Sequence, residues 1–234
     1  MKTIYLLTVL CLFFVSCNEK KTEEEARTYV ITEELQAALT PKQILDSLKV
    51  RNDRFSKGKM TRVDYTSQIV KSENSQYPAA VILSCLDSRV PVESIFDLSI
   101  GDVFVARVAG NIVNPDILGS MEYGCKVSGS KLVIVLGHSQ CGAVKSAIDS
   151  VKLGNITELL SKIEPAVDSV SAKMENRSSK NKEFVKKVTD ENVLLTIDNI
   201  RKNSPILKEM EEKDEIKIVG GVYELDNGKV HFFE

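Results

Sequence analysis

Two short runs carry most of the chemistry available to this chain: Cys85-Leu86-Asp87-Ser88-Arg89 and His138-Ser139-Gln140-Cys141. Two thiols and one imidazole form a three-ligand set that suits zinc and leaves a fourth position for water, the pattern of a catalytic zinc site. Asp87 and Arg89 place a carboxylate and a guanidinium beside the first thiol. Cys141 is expected at the head of a helix, where the macrodipole favours thiolate over thiol. Gly137 and Gly142 flank the second run and are expected to permit an unusual backbone path there. The bland alternative is two buried thiols, a turn histidine and an ordinary ion pair.

The elements that must position these residues argue against that alternative. Each run follows a short apolar, β-branched segment, residues 79–83 and 132–136. Such segments read as buried parallel strands, and neighbouring parallel strands of an open α/β sheet end on the same edge, where ligand sites form. Residues 103–107 read as a further strand, broken by Ala109-Gly110-Asn111. Helices are expected over 116–127, 141–151, 156–174 and 182–203. Thr40-Pro41 signals a helix start, and Ile44, Leu45 and Leu48 give its apolar stripe, so an N-terminal helical arm ends near Gly58. A polar stretch, 61–76, leads to the first strand. Asp226-Asn227-Gly228 between β-like runs 215–224 and 229–233 signals a terminal hairpin. His231 lies in that hairpin and reads as a strand residue. The expected fold is α/β: a mainly parallel sheet flanked by helices, with an N-terminal helical arm and a C-terminal hairpin.

The chain has 234 residues, 43% of them hydrophobic, and a formal net charge of -2. That suits one domain with a sizeable core. No basic stripe interleaves with aromatics, so nucleic acid is not an expected partner. The first 17 residues are of a different kind. Lys2 is followed by a short apolar run, 4–15, then by Ser16-Cys17 and a polar run. This reads as a secretory signal. Phe14-Val15-Ser16-Cys17 resembles a bacterial lipobox, although Phe14 departs from the usual Leu, so Cys17 is the expected lipidation site. The alternative is a plain cleaved signal. The expected organisation is a signal peptide over 1–17, a polar tether over 18–31 and a catalytic domain over 32–234. The expected location is outside the cytoplasm, facing the periplasm or cell exterior, with an anchor in the membrane at Cys17. Cys125 reads as a buried apolar residue, and no structural disulfide is expected.

Taken together, the motifs resemble the β-class carbonic anhydrases. The resemblance rests on residues 85–91, on 101–111, on Ser120-Met121-Glu122-Tyr123 and on Gly137-His138-Ser139-Gln140-Cys141-Gly142. It implies a zinc lyase, one zinc per chain held by Cys85, His138 and Cys141, that hydrates carbon dioxide reversibly to bicarbonate and a proton through zinc-bound hydroxide. It implies that Asp87 and Arg89 form a catalytic dyad, with Asp87 a fourth ligand in a closed state. Gln76, nine residues before Cys85, matches a substrate-contacting glutamine, and Tyr123 and the Gly142 N–H match positions near the pocket. A homodimer or homotetramer is implied, with the helical arm at the subunit boundary. Three neutral histidines leave zinc's charge uncompensated and bring bound water to a pKa of about 7 in the histidine-ligated carbonic anhydrases. Two thiolates cancel that charge, so water at a Cys₂His site is expected to be less acidic. Two other functions fit the same residues: hydrolysis of carbonyl sulfide or carbon disulfide, and a non-catalytic zinc- or bicarbonate-binding module. Intact Asp87, Arg89 and Gln76 argue against the module. A thiol–disulfide redox role is weaker, because the chain has no Cys-x-x-Cys.

Overall fold

The structure, a computed structural model, describes residues 25–233. The expected signal, Cys17 and most of the polar tether lie outside the described residues. The chain opens with α1 (Glu33–Ala38) and α2 (Pro41–Ser56). Thr40 and Gln43 cap α2 reciprocally, side chain to backbone in both directions, with Pro41 in its first turn; this arrangement satisfies N–H groups that a helix start otherwise leaves unpaired. The stretch expected to be a polar lead-in holds α3 (Tyr65–Ser72), started by the Asp64 side chain accepting from Ser67 N–H.

Five strands form one sheet: β1 (Ala80–Ser84), β2 (Val103–Arg107), β3 (Leu132–His138), β4 (Lys217–Tyr223) and β5 (Val230–Phe233). Their order is β2-β1-β3-β4-β5. The first three pairings across that order are parallel and only β5 is antiparallel. Both central strands, β1 and β3, are buried along their whole length, so their side chains alternate between two covered faces. Ala80, Ile82, Leu132, Ile134 and Leu136 face α2 and the short helix α4 (Val92–Ile95). Val81, Leu83, Val133 and Val135 face Met121 of α5 (Pro115–Glu122).

Past β3 come α6 (Gly142–Ile148), α7 (Gly154–Ser161) and α8 (Glu164–Ser171), then α9 (Lys182–Asn203) and α10 (Pro205–Glu212). Val193, Ile197 and Ile200 of α9 and Leu207 and Met210 of α10 complete the second face. The single helix expected over 156–174 is two, because Pro165 has no N–H to continue the ladder and its ring opposes the preceding turn. Gly137 lets α9 approach β3: a Cβ there would lie 2.7 Å from Val193 Cγ2. The helix expected to run from 116 to 127 ends as a single wider π turn, Tyr123–Val127.

The polar tether expected over 18–31 gives way to folded structure by Arg27. Arg27 is buried, donates through Nη1 and Nη2 to Asp102 at 2.8 and 2.7 Å, and bridges to Val63. Asp102 sits at the start of β2 with almost no solvent contact. A carboxylate so placed requires a paired cation, and the N-terminal segment supplies it.

Candidate metal centre

Cys85 is the first residue past β1, His138 is the last of β3, and Cys141 caps α6. Because β1 and β3 are adjacent and parallel, their carboxyl ends deliver all three side chains to one edge of the sheet. The two Sγ atoms and a His138 ring nitrogen lie within 4.8 Å of one another, and all three residues are buried.

Three observations test whether zinc fits. The Cys85 and Cys141 sulfurs are 3.9 Å apart; two sulfurs each about 2.3 Å from a tetrahedral zinc would be roughly 3.8 Å apart. His138 Nδ1 hydrogen-bonds the Ser139 carbonyl oxygen at 3.0 Å, which fixes the ring and leaves Nε2 for a ligand role. Nε2 is buried without a hydrogen-bond partner, an arrangement that is costly unless a ligand occupies it. The residues fit zinc.

The electrostatics agree. Contact with the Cys141 thiol, helped by His138 and by the N–H groups of Gly110 and Asp87, lowers Cys85 to about 4. The same contact and burial raise Cys141, against the pull of the Ala143 and Val144 N–H groups at the start of α6. The pair therefore loses a first proton readily, and a cation bound to both sulfurs would favour loss of the second. Cys125 stands apart from the ligands. It lies in the core beside Val81 and Met121, where burial pushes its thiol up to about 12.

Asp87 faces this cluster. Its Oδ2 is 3.8 Å from His138 Nε2. Arg89 donates Nε to Oδ1 at 2.9 Å and Nη2 to Oδ2 at 2.8 Å, and its N–H donates to Oδ1 at 2.9 Å. Arg89 holds the Asp87 carboxyl well below the usual carboxylate range. Gly142 opens α6 with clear space where a side chain would stand, and helix geometry leaves its N–H without an intrahelical acceptor.

A carbonic anhydrase family model matches residues 80–230 of this chain. The chain belongs to the carbonic anhydrase family. Carbonic anhydrase 2 of Mycobacterium tuberculosis is 34% identical over 189 residues, covering 78% of this chain and 88% of that protein. The carbonic anhydrase of Mycolicibacterium smegmatis is 38% identical over 130 residues, covering 52% of this chain and 62% of that one. The fold is that of the β class. The β-carbonic anhydrase CafA of Aspergillus fumigatus superposes with a TM-score of 0.66 at 23% identity, covering 82% of this chain and 90% of that chain. The Coccomyxa β-carbonic anhydrase, solved with acetazolamide, gives a TM-score of 0.64 at 24% identity, covering 82% of each chain.

One copy of this carbonic anhydrase does not assemble every residue expected at the site. Gln76 is exposed in the loop that enters β1 at its amino end, whereas the ligands stand beyond the carboxyl end. Tyr123 is exposed on the outer flank of β2, its ring 6.3 Å from that of Phe104. It lines a concavity of about 720 Å³ with Val81, Phe104 and Ala106, and none of the three ligands lines it. The unusual backbone expected at the flanking glycines falls instead on Gln140, a non-glycine residue at φ 58. The Gln140 side-chain oxygen accepts from Lys145 Nζ at 2.6 Å and its carbonyl from Arg89 Nη2 at 3.4 Å. Left-handed backbone at a bulky residue marks strain kept by its surroundings. The only sequence signal for this pairing was a lysine four residues past Cys141, on the first turns of α6.

Proposed function

We propose that this carbonic anhydrase catalyses the reversible hydration of carbon dioxide to bicarbonate and a proton, with zinc held by Cys85, His138 and Cys141. The observation that carries this reading is the approach of the Asp87 carboxylate to three converging buried ligand atoms. Zinc at such a site acts as a Lewis acid that acidifies water near neutral pH.

The remaining work falls to side chains and backbone. Asp87 Oδ2 is the acceptor for the hydrogen bond that orients the attacking water, turning an oxygen lone pair toward carbon. Arg89 keeps that carboxylate ionised and stops it rotating, through two parallel donors. The Gly142 N–H is placed to donate to an oxygen of the substrate as negative charge grows there.

Gln76 and Tyr123 are assigned to the site of a second copy of the chain, across a subunit boundary. Their distance from the ligands of their own chain supports this, as does the open outer edge of β2. A related fold from Sordaria macrospora, with a TM-score of 0.63, is described as tetrameric. We further propose export and membrane attachment through Cys17, supported by the apolar run and lipobox-like residues that precede it. Among the described residues no helix is long and apolar enough to cross a membrane.

Stopped-flow hydration of carbon dioxide, with zinc measured on the same sample, tests the central reading. One zinc per chain with rapid hydration is expected. A zinc-loaded protein without hydration would reduce the chain to a binding module.

A further inference from the structure

We propose that Arg107 is a positioning residue that sets the geometry of the metal centre through the backbone of residues 85–87. Arg107 is the last residue of β2, in register with Ser84 at the end of β1. Its Nε donates to the Cys85 carbonyl oxygen at 3.1 Å and its Nη2 to the Asp87 carbonyl oxygen at 2.6 Å. The two acceptors belong to the metal ligand and to the dyad carboxylate, so the inference rests on the roles proposed above. Arg107 forms no ion pair among the described residues, although it is exposed and free to reach for one.

A planar guanidinium fixes the spacing of its two donors. Holding the carbonyls of residues 85 and 87 therefore fixes the 85–86 and 87–88 peptide planes, one on each side of the Leu86-Asp87 pair. Those planes determine where the Cys85 sulfur and the Asp87 carboxylate stand relative to each other. Leu86, Ser88 and Arg89 are all exposed. Contacts within the metal centre aside, the other ties among the described residues from 85–89 to neighbouring segments are two long contacts, Arg89 Nη2 to the Gln140 carbonyl and Gly110 N–H to Cys85 Sγ, each at 3.4 Å. Within the loop, the Asp87 carbonyl accepts a turn bond from Val90 N–H at 3.0 Å, and Arg89 bonds Asp87 itself. Neither contact ties the loop to a neighbouring strand. Arg107 does so from β2, and a lysine, which donates from a single nitrogen on a flexible stem, would not hold the two carbonyls at the fixed spacing of the fork.

The test uses Arg107→Met and Arg107→Lys in the zinc-loaded full-length protein, with Arg107→Gln in place of Met should that variant not fold. Loss of the fork should speed zinc release to a chelator about 10- to 100-fold, the usual effect of removing an outer partner of a metal site. It should also alter the thiolate-to-metal absorption of the cobalt-substituted protein. Turnover should fall while KM stays near wild type, because the fork donors of Arg107 are taken by the backbone carbonyls, and Arg107→Lys should recover part of each effect. Wild-type zinc release and an unchanged cobalt spectrum in Arg107→Met or Arg107→Gln would overturn the proposal. So would faster release that merely tracks a loss of global stability in urea. Cys141→Ser, run alongside, separates the two layers of the argument: full zinc retention there would overturn the ligand assignment itself.

Discussion

Arg89 grips Asp87 through both carboxylate oxygens, Nε to Oδ1 at 2.9 Å and Nη2 to Oδ2 at 2.8 Å. The sign of the linkage follows from the lowered Asp87 pKa. Asp87 is ordinarily half-ionised at about pH 3.9. Its pairing therefore contributes stability above that value, and the contribution is lost as pH falls through the still lower folded value. Across neutral pH the carboxylate stays ionised, so protonation of Asp87 is not the cause of any loss of activity between pH 8 and 6. Arg89→Ala should lower kcat/KM about 10- to 100-fold and free Asp87 to take the fourth metal position, even at high pH. A crystal structure of the zinc-loaded variant would show this. An Arg89→Ala enzyme with full activity and Asp87 unmoved would show that the dyad does not work this way.

The ligand set makes a sharp distinction between cysteines. Cys141→Ser should lose most of its zinc, because metal affinity depends on the complete ligand set. Cys125→Ser should keep wild-type zinc while costing about 1–3 kcal/mol, since it buries a hydroxyl among apolar side chains. Metal analysis and urea unfolding on the two variants check both halves. Zinc lost from Cys125→Ser and kept by Cys141→Ser would reverse the assignment.

Close packing beneath the histidine is a second point of sensitivity. Gly137→Ala would place a Cβ 2.7 Å from Val193 Cγ2, in a fully buried contact between β3 and α9. Overpacking of this kind costs about 1–3 kcal/mol. Since His138 follows directly, the displaced strand should also release zinc faster than wild type. Urea titration and chelator competition measure the two effects, and a variant with both unchanged would mean that α9 has room to move.

Particular residues show what the sequence could and could not carry. The clustering of Cys85, His138 and Cys141, β2 as residues 103–107 and α9 as 182–203 were readable because local apolar runs, caps and spacings determine them. The burial of Arg27 was not, because its cause is Asp102, a partner 75 residues away. α10 went unread although Ser204 caps it and Pro205 opens it, since its short apolar face, Leu207 and Met210, is too brief for periodicity to stand out. Gln76 was legible as a motif but not as a position, because a single chain leaves it at the far end of β1.

Membrane attachment through Cys17 has its own readout. Cys17→Ser should either release soluble enzyme or leave an unprocessed precursor of higher mass. Cell fractionation followed by mass determination distinguishes the two, and wild-type protein recovered wholly in the soluble cytoplasm would rule the anchor out.

The fate of the proton gives the last prediction. Each hydration releases one, and a side chain that carries protons at neutral pH is usually a histidine. This chain has two. His138 belongs to the ligand cluster and has no solvent contact. His231 is exposed on β5 opposite Val222, beyond β4 from the strand that bears the ligands. Within one copy, His138 is enclosed and His231 lies two strands away on β5, and Asp87 is held ionised by Arg89. Dissolved buffer is therefore the expected proton acceptor. At fixed pH and ionic strength, kcat should rise with buffer concentration while kcat/KM, set before proton release, should stay constant. His231→Ala should leave both unchanged. A kcat independent of buffer, or one that collapses in His231→Ala, would point to an internal relay that one copy of the chain does not display.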